Sequence, residues 1–379
     1  MTESKPEPSI HPIFLLLGIA GIGGALAAIE RNNAELLPWI FAAGLAGTVM
    51  RFWAISGGDS EPAGAAGVDH LTLHDADFQY YSQWLKANIR GQDAVIDAVV
   101  TTLQRGLKLS KAGRSLGSFL LVGPTGTGKT FLALMTAKAL WPEREPLVLR
   151  MNQYKSPSDV NAIMGWSGAG AGGAGELTRA VAENPHLVVL LDEIDKCHPE
   201  VLHGLFDALD GGQCRDKATG GIVDFSGCVF FATCNAGVER LRLIAGADPR
   251  SYAAQARDVL VGEAGFDKSF LARFTEILLM DSLSPTNVAE IACLLIEKQW
   301  REQGVEVAYI APELLAQAVK LNEEFGQYGV RQLAHCVQRL TDGMLDSARR
   351  NGLRRAGLIV DALGAPRLVD AATLPAAAP

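Results

Sequence analysis

Gly123-Pro124-Thr125-Gly126-Thr127-Gly128-Lys129-Thr130 decides how the rest of this chain is read. It follows the apolar run Phe119-Leu120-Leu121-Val122 and precedes a helical pattern from Phe131 to Leu140. Strand, glycine loop and helix in that order make a phosphate cradle. Glycines let the backbone curl so that successive N–H groups point inward at phosphate oxygens. The helix N-terminus adds partial positive charge. At this spacing Lys129 reaches the β- and γ-phosphates of a nucleotide, and Thr130 offers its hydroxyl to Mg²⁺. A plain glycine turn does not require Lys-Thr at its end.

Further along, Leu187-Val188-Val189-Leu190-Leu191-Asp192-Glu193 is a buried strand ending in two carboxylates. The C-terminal ends of strands are where such sheets bind ligands. Asp192 is expected to hold Mg²⁺ through water, and Glu193 to orient and deprotonate an attacking water. Phosphoryl transfer needs positioning and charge neutralisation more than covalent chemistry. The expected cofactors are therefore ATP and Mg²⁺, and the expected activity is Mg-dependent ATP hydrolysis.

The 379 residues suffice for two or three domains with a sizeable core. A net charge of −8 argues against a broadly basic nucleic-acid binder, so no nucleic-acid partner is expected. The six cysteines show no C-x-x-C spacing and read as reduced thiols, not as a disulfide frame or zinc site.

The N-terminus differs in character. Residues 13–29 are uncharged and apolar, and a second apolar run extends from 36 to 50, followed by the interfacial-type Arg51-Phe52-Trp53. Each run is near the lower limit for a membrane span. Small residues four apart, such as Ala20 and Gly24, suit close helix packing in lipid. The expectation is a membrane hairpin over 1–55, with helices at about 13–29 and 36–55. A cytosolic nucleotide site puts both termini in the cytoplasm, with Glu30 to Glu35 as a short outer turn.

Residues 56–76 read as a linker. Residues 77–284 form the expected nucleotide-binding domain. Its helical pattern runs from 77 to 109, and buried parallel strands are expected at 119–122, 146–149, 187–191, 229–232 and 276–280. The fold class is α/β, a P-loop doubly wound parallel sheet. After Ser284-Pro285 a small, mainly helical C-terminal domain is expected over 285–362. It would have helices at 287–303, 312–325 and 331–349 and a strand pair at 305–310 and 356–360. The Ala/Pro-rich tail, 363–379, reads as disordered.

From roughly Asn88 to Leu340 the chain resembles the ATPase domain of Clp-type AAA+ unfoldases, above all the second ATPase domain of the two-ring members. The residues that carry the resemblance are Leu190-Leu191-Asp192-Glu193-Ile194-Asp195-Lys196-Cys197-His198-Pro199-Glu200-Val201, Leu205-Phe206-Asp207-Ala208-Leu209-Asp210-Gly211-Gly212 and Val223-Asp224-Phe225. The resemblance implies that Ile89, in Ile89-Arg90-Gly91-Gln92, packs on adenine. It implies that Asn235 polarises the attacking water. It makes Arg273, in Phe266-Asp267-Lys268-Ser269-Phe270-Leu271-Ala272-Arg273-Phe274, an arginine finger for the neighbouring subunit's γ-phosphate. Arg331, in Gly329-Val330-Arg331, would contact the phosphate in cis.

An arginine supplied in trans implies a closed ring, and the family's ring is a homohexamer. The family threads protein substrates past a Gly-aromatic-hydrophobic-Gly loop. Gly165-Trp166-Ser167-Gly168 partly satisfies that pattern, with Ser in the hydrophobic place, and Trp166 is either a pore residue or a packed aromatic. Leu243-Ile244-Ala245-Gly246 does not support docking to a Clp-type peptidase, and no H-E-x-x-H motif occurs. The resulting expectation is a two-pass ATPase that unfolds, remodels or extracts proteins at the bacterial inner membrane. Its rival is an ATPase ring that drives assembly of a secretion or conjugation apparatus without threading.

Overall fold

A computed structural model of the chain describes residues 75–108, 114–167, 173–245, 249–324 and 329–373. The membrane hairpin at 13–29 and 36–55 lies outside the described residues. Among the described residues no helix is long and apolar enough to cross a membrane. The chain divides between Ser282 and Leu283 into two compact units, two residues before the expected boundary.

The first unit runs α1 (Asp75–Asn88), α2 (Asp93–Lys108), β1 (Gly117–Val122), α3 (Lys129–Leu140), β2 (Leu147–Arg150), α4 (Val160–Met164), α5 (Glu176–Glu183) and β3 (Val188–Asp192). It continues through α6 (Pro199–Gly204), α7 (Phe206–Leu209), the hairpin β4 (Gln213–Arg215) and β5 (Ile222–Asp224), and β6 (Val229–Cys234). It ends with α8 (Val238–Ile244), α9 (Pro249–Ala264), α10 (Lys268–Leu271) and β7 (Glu276–Leu279). The first helix begins inside the expected linker, at Asp75.

Five strands form one sheet in the order β2-β3-β6-β1-β7, every neighbouring pair parallel. β1 and β6 are buried at all six positions because helices cover both faces, which is why Phe119–Val122 and Val229–Ala232 within them read as unbroken apolar runs. Phe119 and Phe231 stack across this pair with ring centroids 5.0 Å apart, both fully buried. Phe231→Ala is expected to cost about 3–5 kcal/mol, since the gap left in a close-packed core does not collapse. A lower denaturant midpoint with an unchanged slope would report it.

The second unit holds α11 (Pro285–Glu302), β8 (Glu306–Ile310), α12 (Pro312–Glu324), α13 (Gly329–Arg350), β9 (Arg355–Val360) and β10 (Pro366–Asp370). Ser284 sets the start of α11: its Oγ accepts the Asn287 N–H at 3.2 Å, its own N–H donates to Asn287 Oδ1 at 3.3 Å, and Pro285 takes the first helical position. Leu333, Val337, Met344 and Ala348 recur at helical spacing on α13 and are buried against α11 and α12.

Residues 366–370, expected to be disordered, form β10, antiparallel to β9 with Leu368 opposite Leu358. Leu368 packs on the second unit's core, which supplies the burial that its Ala/Pro-rich surroundings lack. Three strands, not two, therefore make the small sheet, in the order β10-β9-β8.

Candidate nucleotide site

β1, β3 and β6 end side by side, and their C-terminal ends carry the chemistry. Gly123 continues β1 and donates its N–H to the Cys234 carbonyl at 3.2 Å. A Cβ on Gly123 would come within 2.4 Å of the Met280 carbonyl oxygen, so only glycine fits. Gly128 turns the chain into α3 with a φ of 97°, a conformation that side chains disfavour.

Lys129 opens α3 and is 7% exposed. Its Nζ donates to the Gly123 and Pro124 carbonyls, each at 2.7 Å. The ammonium is thus held against the same loop that would wrap a phosphate. Burial pushes Lys129 down to about 8, partly offset by Asp192, Asp195 and Glu193. Only the protonated form attracts an anionic phosphate. In the nucleotide-free fold that form is lost as the pH rises through about 8, whereas a lysine of the unfolded chain keeps its proton to about 10.4. Nucleotide affinity is therefore expected to fall above pH 8, by up to about tenfold per pH unit. The nucleotide-free fold gains stability over the same window, because the unfolded state holds the extra proton. Titration with a fluorescent ATP analogue at pH 7, 8 and 9 reads the affinity. Lys129→Met should bind weakly throughout and lose the slope.

Thr130 Oγ1 donates to Asp192 Oδ1 at 3.0 Å, and Thr233 Oγ1 donates to the same oxygen at 2.7 Å. Thr233 Oγ1 also accepts the Glu193 N–H at 2.8 Å. Glu193 is the one non-glycine with positive φ among the described residues, at 59°. That conformation costs about 1–2 kcal/mol. The bond to Thr233 helps to hold it and turns Glu193 out of the strand. Asn152, just past β2, donates its Nδ2 to Glu193 Oε2 at 2.8 Å. Asn235, just past β6, has a buried Oδ1 with no hydrogen-bond partner.

These residues fit ATP with Mg²⁺. Thr130 and Asp192 supply the hard oxygen donors that Mg²⁺ takes, directly or through water. The orphaned Asn235 oxygen is a buried acceptor still without a donor. The loop from Gly123 through Pro124, Thr125, Gly126 and Thr127 to Gly128 lies directly before Lys129 and Thr130, as the spacing requires.

Within the first unit, not every residue singled out in the sequence joins this cluster. Ile89 directly follows α1 and is buried in the core under the sheet. The Arg273 carbonyl accepts from Ser118 Oγ at 2.7 Å, at the start of β1. At ~3.3 Å per residue the strand carries the chain roughly 16 Å from there to Gly123. The Arg273 backbone thus stands at the opposite end of the strands from the phosphate loop. Its guanidinium lies 3.8 Å over the Phe206 ring and its Nε is 3.1 Å from Asp210. Arg331 is exposed near the start of α13, in the second unit. Trp166 is 45% exposed and pairs with Gly173 through two backbone hydrogen bonds of 3.1 Å. Leu243, on α8, is exposed.

Thr233 and Asn152 were not anticipated from the sequence. A lone hydroxyl inside Val229–Cys234 was a usable signal for Thr233. Asn152 had none, since its partner is distant in the chain.

A parallel sheet with this loop and this carboxylate pair defines a P-loop nucleotide hydrolase domain. Residues 114–277 match the family model described as AAA domain (Cdc48 subfamily). The chain is similar to Chaperone protein ClpB 2 of Thermosynechococcus vestitus, 33% identical over 264 residues, covering 68% of this chain and 29% of the relative. It is similar to the ATP-dependent Clp protease ATP-binding subunit ClpE of Lactococcus lactis, 35% identical over 220 residues, covering 56% of this chain and 29% of the relative. The Negative regulator of genetic competence ClpC/MecB of Bacillus subtilis is 31% identical over 297 residues, covering 73% of this chain and 36% of that protein. The chain carries a Clp-type AAA+ ATPase domain. It spans only about a third of the length of these relatives.

Proposed function

We propose that this protein is a membrane-anchored AAA+ ring that couples ATP hydrolysis to unfolding, remodelling or extraction of proteins at the bacterial inner membrane. The observation that carries the ATPase part is the convergence of Thr130 and Thr233 on one oxygen of Asp192, with Glu193 turned out beside them.

In this reading Lys129 and the loop amides bind the triphosphate, and Ile89 contacts adenine. Thr130 and the waters around Asp192 hold Mg²⁺, which when bound neutralises charge on the phosphate oxygens. Glu193 takes the proton of the attacking water and Asn235 aims it. Asn152 holds Glu193 until nucleotide and water are in place. Arg273 serves the neighbour's γ-phosphate, which fits its position away from its own phosphate loop. Arg331 reports on the phosphate in cis. Six copies close the ring. Trp166, exposed beside a Gly/Ala-rich segment, grips polypeptide.

The anchor rests on the two apolar runs at 13–29 and 36–50. Ser167, in the place of a hydrophobic residue, favours the second reading, a ring that drives assembly in a secretion or conjugation apparatus without threading. The test begins with membranes. The protein is expected to stay with them through a carbonate wash and, once purified in detergent, to hydrolyse ATP severalfold faster with an unfolded polypeptide. A rate indifferent to polypeptide favours the assembly reading.

A further inference from the structure

The hairpin β4–β5 carries a buried carboxylate that the ATPase chemistry does not use. Asp216 is 3% exposed. A buried charge is stable only when its oxygens are saturated with donors, and these are. Oδ1 accepts from the hairpin's own turn: the Ala218 N–H at 2.9 Å, the Thr219 N–H at 2.8 Å and the Thr219 hydroxyl at 3.0 Å. Oδ2 accepts from a different part of the chain: the Gly175 N–H at 3.1 Å and the Thr178 hydroxyl, at the base of the Trp166 segment. One oxygen serves each segment. Burial opposes the charge, but the bonds from Thr178, Thr219 and Gly175 outweigh it and hold the carboxyl down at about 2. Asp216 therefore stays ionised throughout the physiological range.

The two segments fit closely around this group. A Cβ on Gly165 would come within 2.8 Å of Asp216 Oδ2, and Gly165 already has a φ of 85°, so glycine is required there. The Lys217 N–H donates to the Met164 carbonyl at 3.3 Å, and the Asp216 N–H donates to the Gly221 carbonyl at 2.9 Å. Trp166 follows Gly165, and Ile222 follows Gly221. Each is thus one residue away from a direct contact with Asp216. Both are large apolar side chains left in solvent, 45% and 64% exposed.

We propose that Asp216 is a positioning residue that ties the Trp166 segment and the β4–β5 hairpin into one unit, so that Trp166 and Ile222 meet an extended polypeptide together. The second apolar contact that Ser167 does not provide would then come from Ile222 on the other segment. This rests on the polypeptide reading above, and the experiment separates the two.

Asp216→Asn keeps an oxygen for the hairpin turn and replaces the other with an NH₂ group, which cannot accept from Gly175 or Thr178. Hydrogen exchange on the full-length protein with ATP is expected to quicken at least about tenfold in peptides covering 160–167, 173–178 and 213–224. Peptides of β1, β3 and β6 should match the wild type. Thr178→Val, which removes one donor and leaves the charge, should show a smaller change in the same peptides. Unchanged exchange in either segment overturns the tie, and so does loosening that spreads to the sheet.

Polypeptide-stimulated ATP turnover is then measured for Trp166→Ala, Asp216→Asn and the double variant. The proposal expects Asp216→Asn to lower stimulation in the wild-type background and to have no further effect once Trp166 is gone. Independent, multiplying losses would show that Asp216 acts elsewhere and overturn the proposal. If Trp166→Ala alone leaves stimulation at the wild-type level, the polypeptide reading fails, while the exchange data still decide whether the tie exists.

Discussion

Arg273→Ala is expected to lower ATP turnover of the assembled protein by about 10³-fold or more while leaving nucleotide binding near wild type. The size follows from what the guanidinium does. Charge spreads over the transferred phosphoryl oxygens in the transition state, and an arginine placed there acts in a water-poor site where its charge counts most. Within one chain Arg273 cannot play that part, because its backbone is bonded to Ser118 at the start of β1 and the phosphate loop follows the end of the same strand. In the single chain the guanidinium rests over Phe206 and beside Asp210. Binding should therefore survive the substitution and turnover should not. Isothermal titration with a slowly hydrolysed ATP analogue and a phosphate-release assay on the same preparation separate the two. A loss of affinity equal to the loss of rate would mean that Arg273 holds the fold or the ground state instead.

Glu193→Gln is expected to lower turnover by about 10²–10⁴-fold, again with nucleotide retained. Glutamine keeps the shape and accepts the Asn152 amide, but it cannot take a proton from water. The backbone geometry should persist, since the Thr233 bond is to the Glu193 N–H and not to its side chain. The variant should accumulate an ATP-bound state, visible as unhydrolysed nucleotide on the isolated protein. Rapid loss of that nucleotide as ADP would assign the base elsewhere.

Much of the sheet was legible because parallel strands buried on both faces must be apolar throughout. Leu187 to Leu191 and Val229 to Ala232 have no polar partner to hide. The strand order was not legible, because an unbroken apolar run does not say which neighbour it has. The β4–β5 hairpin went unread since each of its strands is three residues long, too short for alternation to show. β10 was concealed by the alanines and prolines around it. At the site, residues contiguous with a motif could be read: Lys129, Thr130, Asp192 and Glu193. Residues that act by reaching across strands could not. Thr233, Asn152 and Asp216 each gain their role from a partner distant in the chain, and Asp216 looks like an ordinary turn residue until both of its oxygens are followed.

One subunit's Glu193 is expected to work with its neighbour's Arg273. Mixing two dead proteins tests it most directly. Arg273→Ala subunits keep a complete ATP site but lend no arginine; Glu193→Gln subunits lend the arginine but lack the base. In rings assembled from equal amounts, about a quarter of the sites should pair an intact Glu193 with a neighbour's intact Arg273, so ATP turnover should rise far above that of either parent. Turnover no greater than the average of the two parents, in rings shown to contain both, would contradict the account.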